Sequence, residues 1–194
     1  MNQPLSYGFR RLPIVAVYVA SITGLSGCGE NIFDQKWTEA RVDTVLIYSL
    51  ARPELNLPSA FDFVKRLTVE LQSPGATGEW DLVVDTRDGQ LVFLPPGSLG
   101  FTSEMMFLAI PGMAFNDVIK APGDTTQYTK DTPLVVDANS VYVLRTHQGF
   151  DRFGLPCLFY GKFKPLVVDP ANGSVQFEYD VSRLCDDRSL IPPD

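Results

Sequence analysis

The stretch Glu79–Pro96, EWDLVVDTRDGQLVFLPP, decides the fold class. Two β-rich runs flank Asp88-Gly89, and Asp-Gly is favoured where both central residues of a two-residue turn need positive φ. The pattern predicts a hairpin. Pro95-Pro96 ends it, because proline cannot donate to a continuing ladder. Working outward, DPANGS holds Asn172-Gly173, which predicts a second turn of the same kind between PLVVD, from Pro165, and SVQFEYDVSRL, from Ser174. RVDTVLIYSL (Arg41–Leu50) suits a strand, with Val42, Thr44, Leu46 and Tyr48 alternating with the rest. SVYVLRTH from Ser140 and LPCLFYGKF from Leu155 supply further strands.

Helical periodicity is scarce. Pro53 and Pro58 prevent a long helix in ARPELNLPSAFDF. PSAFDFVKRLTVELQ admits one or two helical turns, yet Val64, Leu67, Val69 and Leu71 fit a strand equally. GMAFNDVIKAPG predicts a short helix stopped at Pro122, with Phe115, Val118 and Ile119 on one face. Short strands between Gly/Pro turns define a mostly β chain: an antiparallel β-sandwich or barrel-like single domain with little helix.

The N-terminal region has a different character. Arg10-Arg11 precede an uncharged run, LPIVAVYVASIT (Leu12–Thr23), and the small residues Gly24, Ser26 and Gly27. That order predicts an export signal over residues 1–27. The apolar run is shorter than the roughly 20 residues a membrane-spanning helix needs. Leu25-Ser26-Gly27-Cys28 resembles the lipobox of bacterial lipoproteins. The resemblance implies that Cys28 is acylated and becomes the new N-terminus, anchoring the chain to a lipid bilayer. Residues 28–40 would then be the lipidated cysteine and a polar tether, and 41–194 one β-rich domain. Gly29 stands where an Asp in many Gram-negative lipoproteins directs inner-membrane retention, so the resemblance favours the outer membrane of a bacterial cell envelope.

Arg10 and Arg11 are the only charges before Cys28, so the chain from Cys28 onward has 14 basic and 23 acidic residues, a net charge of −9. Such a balance argues against nucleic-acid partners and against electrostatic docking on anionic lipid. With Cys28 lipidated, Cys157 and Cys185 remain. In an oxidising compartment an even pair reads as a disulfide, with two separate buried thiols as the alternative.

Catalytic motifs are missing: the chain from Cys28 onward has no Gly-x-Ser-x-Gly elbow, phosphate-binding loop or His-Glu-x-x-His. His147 is the one histidine and reads as an exposed loop residue at the end of VYVLRTH. Asp186-Asp187 with Asp180 lack the spacing of a calcium loop. Asp85 and Asp88 read as turn residues. EMMFLAIPGM, with Met105, Met106 and Met113, reads as core, although methionine thioethers also ligate haem iron.

AFDF (Ala60–Phe63), EWDLVVDTRDG (Glu79–Gly89) and VYVLRTHQGFDRFGLPCLFYGKF leading to GSVQFEYD resemble the layout of HmuY-like lipoproteins. That family is mostly β and includes haem-binding members, which hold iron through paired axial His or Met side chains. The resemblance implies the β fold; a His pair is not available here. The expectation is a non-enzymatic, membrane-anchored envelope lipoprotein that binds a small ligand or an envelope protein, with no catalytic residue, cofactor or metal assigned. HmuY-like haem binding is the alternative, followed by an exported hydrolase using His147 or carboxylates.

Overall fold

In the computed structural model, residues 37, 39–73, 75–76 and 78–193 are described. The expected signal peptide (1–27), Cys28 and most of the expected tether lie outside them. The strands, in chain order, are β1 (Asp43–Tyr48), β2 (Ala60–Asp62), β3 (Leu67–Val69), β4 (Leu82–Arg87), β5 (Gln90–Leu94), β6 (Met106–Pro111), β7 (Leu134–Val135), β8 (Ser140–Arg145), β9 (Gly149–Phe150), β10 (Pro156–Cys157), β11 (Tyr160–Asp169) and β12 (Ser174–Val181).

The Asp88-Gly89 hairpin forms as expected. Arg87 pairs with Gln90, leaving a two-residue turn in which Asp88 and Gly89 have φ of 52° and 77°. A Cβ on Gly89 would meet open space, so Gly89→Ala adds no clash and its cost is that of the left-handed backbone alone. Chemical denaturation is expected to read about 1 kcal/mol of lost stability. The β11–β12 connection differs from expectation. Asp169 pairs with Ser174, so the loop has four residues, and only Gly173 among them has positive φ, at 57°. Asp169 accepts the Asn172 backbone N–H and side-chain amide, and these bonds shape the wider turn.

Two five-stranded antiparallel sheets result, ordered β1-β12-β11-β8-β6 and β3-β2-β4-β5-β7, with a small β9–β10 ribbon beside them. They pack face to face as a β-sandwich, and residues Gln35–Asp194 form one compact unit. Aromatic rings fill the interface. Phe93 of one sheet meets Tyr142 and Phe163 of the other edge-on, at centroid distances of 5.1 and 5.2 Å. Phe61 meets Phe177 at 5.6 Å, and Tyr142 stacks on Phe163 at 4.9 Å.

Several local expectations change on this scaffold. The ambiguous 58–72 stretch is the β2–β3 hairpin rather than helix. The run expected from Leu155 splits: Pro156–Cys157 form β10, whereas Tyr160–Phe163 continue into the run from Pro165 as one ten-residue strand, β11, with a register shift between Pro165 and Val167. Pro165 lies beyond Phe163, the last residue paired with β8, where a strand proline is tolerated. In β1 the core-facing set is Ile47, buried, and Val45, partly buried, whereas Leu46 and Val42, just before the strand, are exposed. The expected helix near Phe115 is a single 3-10 turn, Phe115–Asp117. Phe115 and Val118 are buried there, but Ile119 is exposed.

That turn covers the outer face of the first sheet, where Phe115, Val118, Ala121 and Leu190 pack on Val141 and Val143. Two buried carbonyls of this segment are satisfied from below. The buried Lys162 ammonium donates to the Phe115 and Val118 carbonyls, both at 2.9 Å, and lies 4.6 Å from the Phe115 ring centroid. Burial pushes its pKa down from the ordinary lysine value, against the pull of Asp180, Glu178 and Asp117.

Candidate functional site

Three chain segments meet at one end of the sandwich. Asp62 ends β2, Asp81 precedes β4, and His147 lies two residues past β8. Asp81 is completely buried and acts as the hub. One of its oxygens, Oδ2, accepts the Phe63 N–H at 2.8 Å. The other, Oδ1, accepts both the His147 backbone N–H and the ring, with Nδ1 at 2.9 Å. A carboxylate can only accept, so Nδ1 carries the proton in this arrangement. The corner is held further by Thr146, whose hydroxyl accepts the Phe159 N–H at 3.1 Å and donates to the His147 carbonyl at 2.8 Å.

His147 is therefore not the exposed loop residue expected. Its side chain is only 14% exposed, because Asp81 draws the ring against the end of the sandwich. Burial works to lower its pKa, but the hydrogen bond and charge of Asp81, with Asp62 behind, outweigh burial and raise it above 6.5.

Asp62 is the least satisfied member. Its Oδ1 accepts the Lys65 N–H at 2.9 Å, whereas Oδ2 is buried without a hydrogen-bond partner. The Lys65 ammonium stands 3.7 Å from Oδ2 and is drawn outward by its ion pair with Glu79. Burial first, and then the charge of Asp81, raise the Asp62 pKa, against the Lys65 N–H, His147 and Lys65. One donor atom from each of Asp62, Asp81 and His147 lies within 4.8 Å of the others, and this is the one set of three such donors among the described residues.

Two clefts flank the cluster. One of about 330 Å³ is lined by His147, Gln148, Trp80, Phe101 and Glu104. Trp80 and Phe101 meet edge-on at 5.7 Å, and Arg145 holds Glu104 at 2.8 Å. The second, about 580 Å³, opens over Asp62, Lys65 and Glu79.

The other candidates do not converge. Asp85 accepts the Thr86 N–H and pairs with Arg87, and Asp88 occupies the hairpin turn. Asp180 holds Arg66 at 2.7 Å, whereas Asp187 accepts the Ser189 N–H. Met105 and Met106 are buried, Met105 in the inter-sheet core, and Met113 is exposed. Cys157 and Cys185 form the expected disulfide, with Cα atoms 5.4 Å apart. Asp62 and Asp81 carried no chemical signal in the sequence, although each is an acid set among core residues, in AFDF and EWDLVV. An acid at such a position is either paired or functional.

No protein-family model matches this chain, and no curated protein matches it either. What fold and site define is a class: a mostly β, antiparallel sandwich carrying a His–Asp–Asp cluster, its two carboxylates buried, between two clefts.

Proposed function

We propose that this chain is a lipid-anchored, non-enzymatic binding module of the bacterial cell envelope, taking a small ligand in the cleft beside Trp80, Phe101 and His147. The observation that carries the reading is that cleft. Its volume of about 330 Å³ is at the small end of ligand sites, which combine apolar walls with a few convergent polar groups. Phe101, 42% exposed, offers an aromatic wall, and His147, Gln148 and Glu104 offer hydrogen-bonding groups. A ligand with one apolar face and a polar edge fits that lining. The lipobox-like Leu25–Cys28 supports attachment to the outer membrane, and the lack of a catalytic motif supports binding over turnover.

Trp80 reports on the cleft directly. The chain has two tryptophans, so in a Trp37→Phe background the emission comes from Trp80 alone. Titration with a panel of envelope saccharides and short peptides is expected to give a saturable change with at least one class, lost in Phe101→Ala. Turnover of ester, peptide or glycoside substrates that disappears in His147→Ala would overturn the non-enzymatic reading. For the anchor, palmitate labelling of the exported precursor is expected to be lost in Cys28→Ala; label that persists would refute it. Haemin is expected to give no stoichiometric Soret shift dependent on His147, since Met105 and Met106 are buried and the exposed Met113 does not line the His147 cleft, leaving no partner for an axial pair there.

A further inference from the structure

We propose that Asp62, Asp81 and His147 form a binding site for a divalent transition-metal ion of the zinc type, whatever occupies the Trp80 cleft. Two carboxylates and one imidazole are the donor set such ions take, and three protein ligands leave a fourth position for water. Their donor atoms, within 4.8 Å of one another, need to settle about 3.3 Å apart, the ligand spacing of tetrahedral zinc, and the His147 ring nitrogen that ligates gives up its proton to solvent as the ion takes the proton's place. Asp81 and Asp62 are both buried, so the ion would sit at the edge of the core, fixed by the backbone bonds that Phe63 and Lys65 donate to the two carboxylates.

Independent of the cluster itself is the buried Asp62 Oδ2, which has no hydrogen-bond partner. A buried acceptor left this way is costly, and a cation removes the cost. In the structure the nearest cation is the Lys65 ammonium at 3.7 Å, on a half-exposed side chain that bridges towards Glu79. Lys65 thus stands at the mouth of the site as a monovalent substitute. A divalent ion entering through the cleft over Asp62, Lys65 and Glu79 would displace the ammonium outward and leave Lys65 paired with Glu79. The contrary reading is a purely structural network, in which Asp81 only ties the end of β2 to the segment after β8 and no ion is held.

The full chain, stripped with EDTA and dialysed against Zn²⁺ in chelex-treated buffer, decides between them. One retained equivalent is expected, with Co²⁺ in its place giving visible d–d bands typical of a low-coordinate site. Asp62→Asn keeps the acceptor for the Lys65 N–H and leaves the Asp81–His147 bonds untouched, so the fold should persist by circular dichroism. Zn²⁺ affinity should fall by about tenfold or more in that variant and in His147→Gln. Lys65→Gln removes the competing charge and should bind as tightly as the wild type or more so. No retained metal overturns the proposal. So does uptake that is unchanged in Asp62→Asn, which would make the ion adventitious, and so does weaker binding in Lys65→Gln.

Discussion

Asp81→Ala is expected to cost about 3–5 kcal/mol of folding stability, the range for removing one partner from a buried charged network. The side chain is completely buried and accepts from the Phe63 N–H, the His147 N–H and the His147 ring. Truncation leaves all three donors unsatisfied, at about 1–3 kcal/mol each before relaxation. It also brings a cavity where the end of β2 meets the segment after β8. Water entering from the Trp80 cleft can rehydrate the half-buried His147 ring, which keeps the total below the simple sum. Asp81→Asn should lose less, because its oxygen still accepts on one side while its amide opposes a donor on the other. Urea denaturation should show the midpoint falling with the slope unchanged. The exposed Glu70→Ala is the matched control, expected within about 0.5 kcal/mol of wild type. A loss under about 1 kcal/mol for Asp81→Ala would mean that the hub does not hold the two segments together.

Removing the Cys157–Cys185 disulfide is the second large effect, expected at about 3–4 kcal/mol from the chain-entropy cost of opening a 28-residue loop. The bond joins β10, whose Cys157 belongs to the inter-sheet core, to the segment after β12. That segment returns to cover the outer face of the first sheet: Leu190 donates its N–H to the Ile119 carbonyl at 2.9 Å and packs on Val141 and Val143. Without the bond, the tail loses its covalent tie to β10 and keeps beside it the hydrogen bond from the Asp186 N–H to the Leu158 carbonyl. Hydrogen exchange should therefore rise first at Ala121 and Leu190, whose N–H groups bond across that contact. The comparison is a Cys157→Ser/Cys185→Ser chain against the oxidised one in the same denaturant series. Two free thiols titrated in denatured, unreduced protein would contradict the bond outright.

The local features of this fold are legible in the residues themselves. Asp88-Gly89 specifies its turn because the left-handed conformation is a property of those two residue types, and the strands from Ser140 and Ser174 follow from β-branched and aromatic runs. The cysteine pairing follows from parity, since only two candidates remain once Cys28 is set aside. Where local preference is balanced, the sequence is silent. In Asp43–Tyr48 apolar residues occur at both parities, and only the facing sheet selects Val45 and Ile47 for the core. In Phe115–Ile119 the short apolar pattern admits a helix, but the buried Lys162 ammonium takes the Phe115 and Val118 carbonyls, and one 3-10 turn is all that forms.

The site belongs to the tertiary structure almost entirely. Asp62, Asp81 and His147 come from three segments, with His147 66 residues from Asp81, and no spacing rule links them. Read singly, His147 is a loop residue in a polar RTHQG segment; packed, it is a half-buried ring held by a carboxylate. What the sequence determined by itself is whatever a few neighbouring residues decide: turns, strand propensity, the export-like N-terminal pattern and the absence of catalytic motifs. What only the tertiary structure decided is which charges are taken out of water together. Burial and mutual distance set the strength of an electrostatic interaction, and neither exists until the two sheets close.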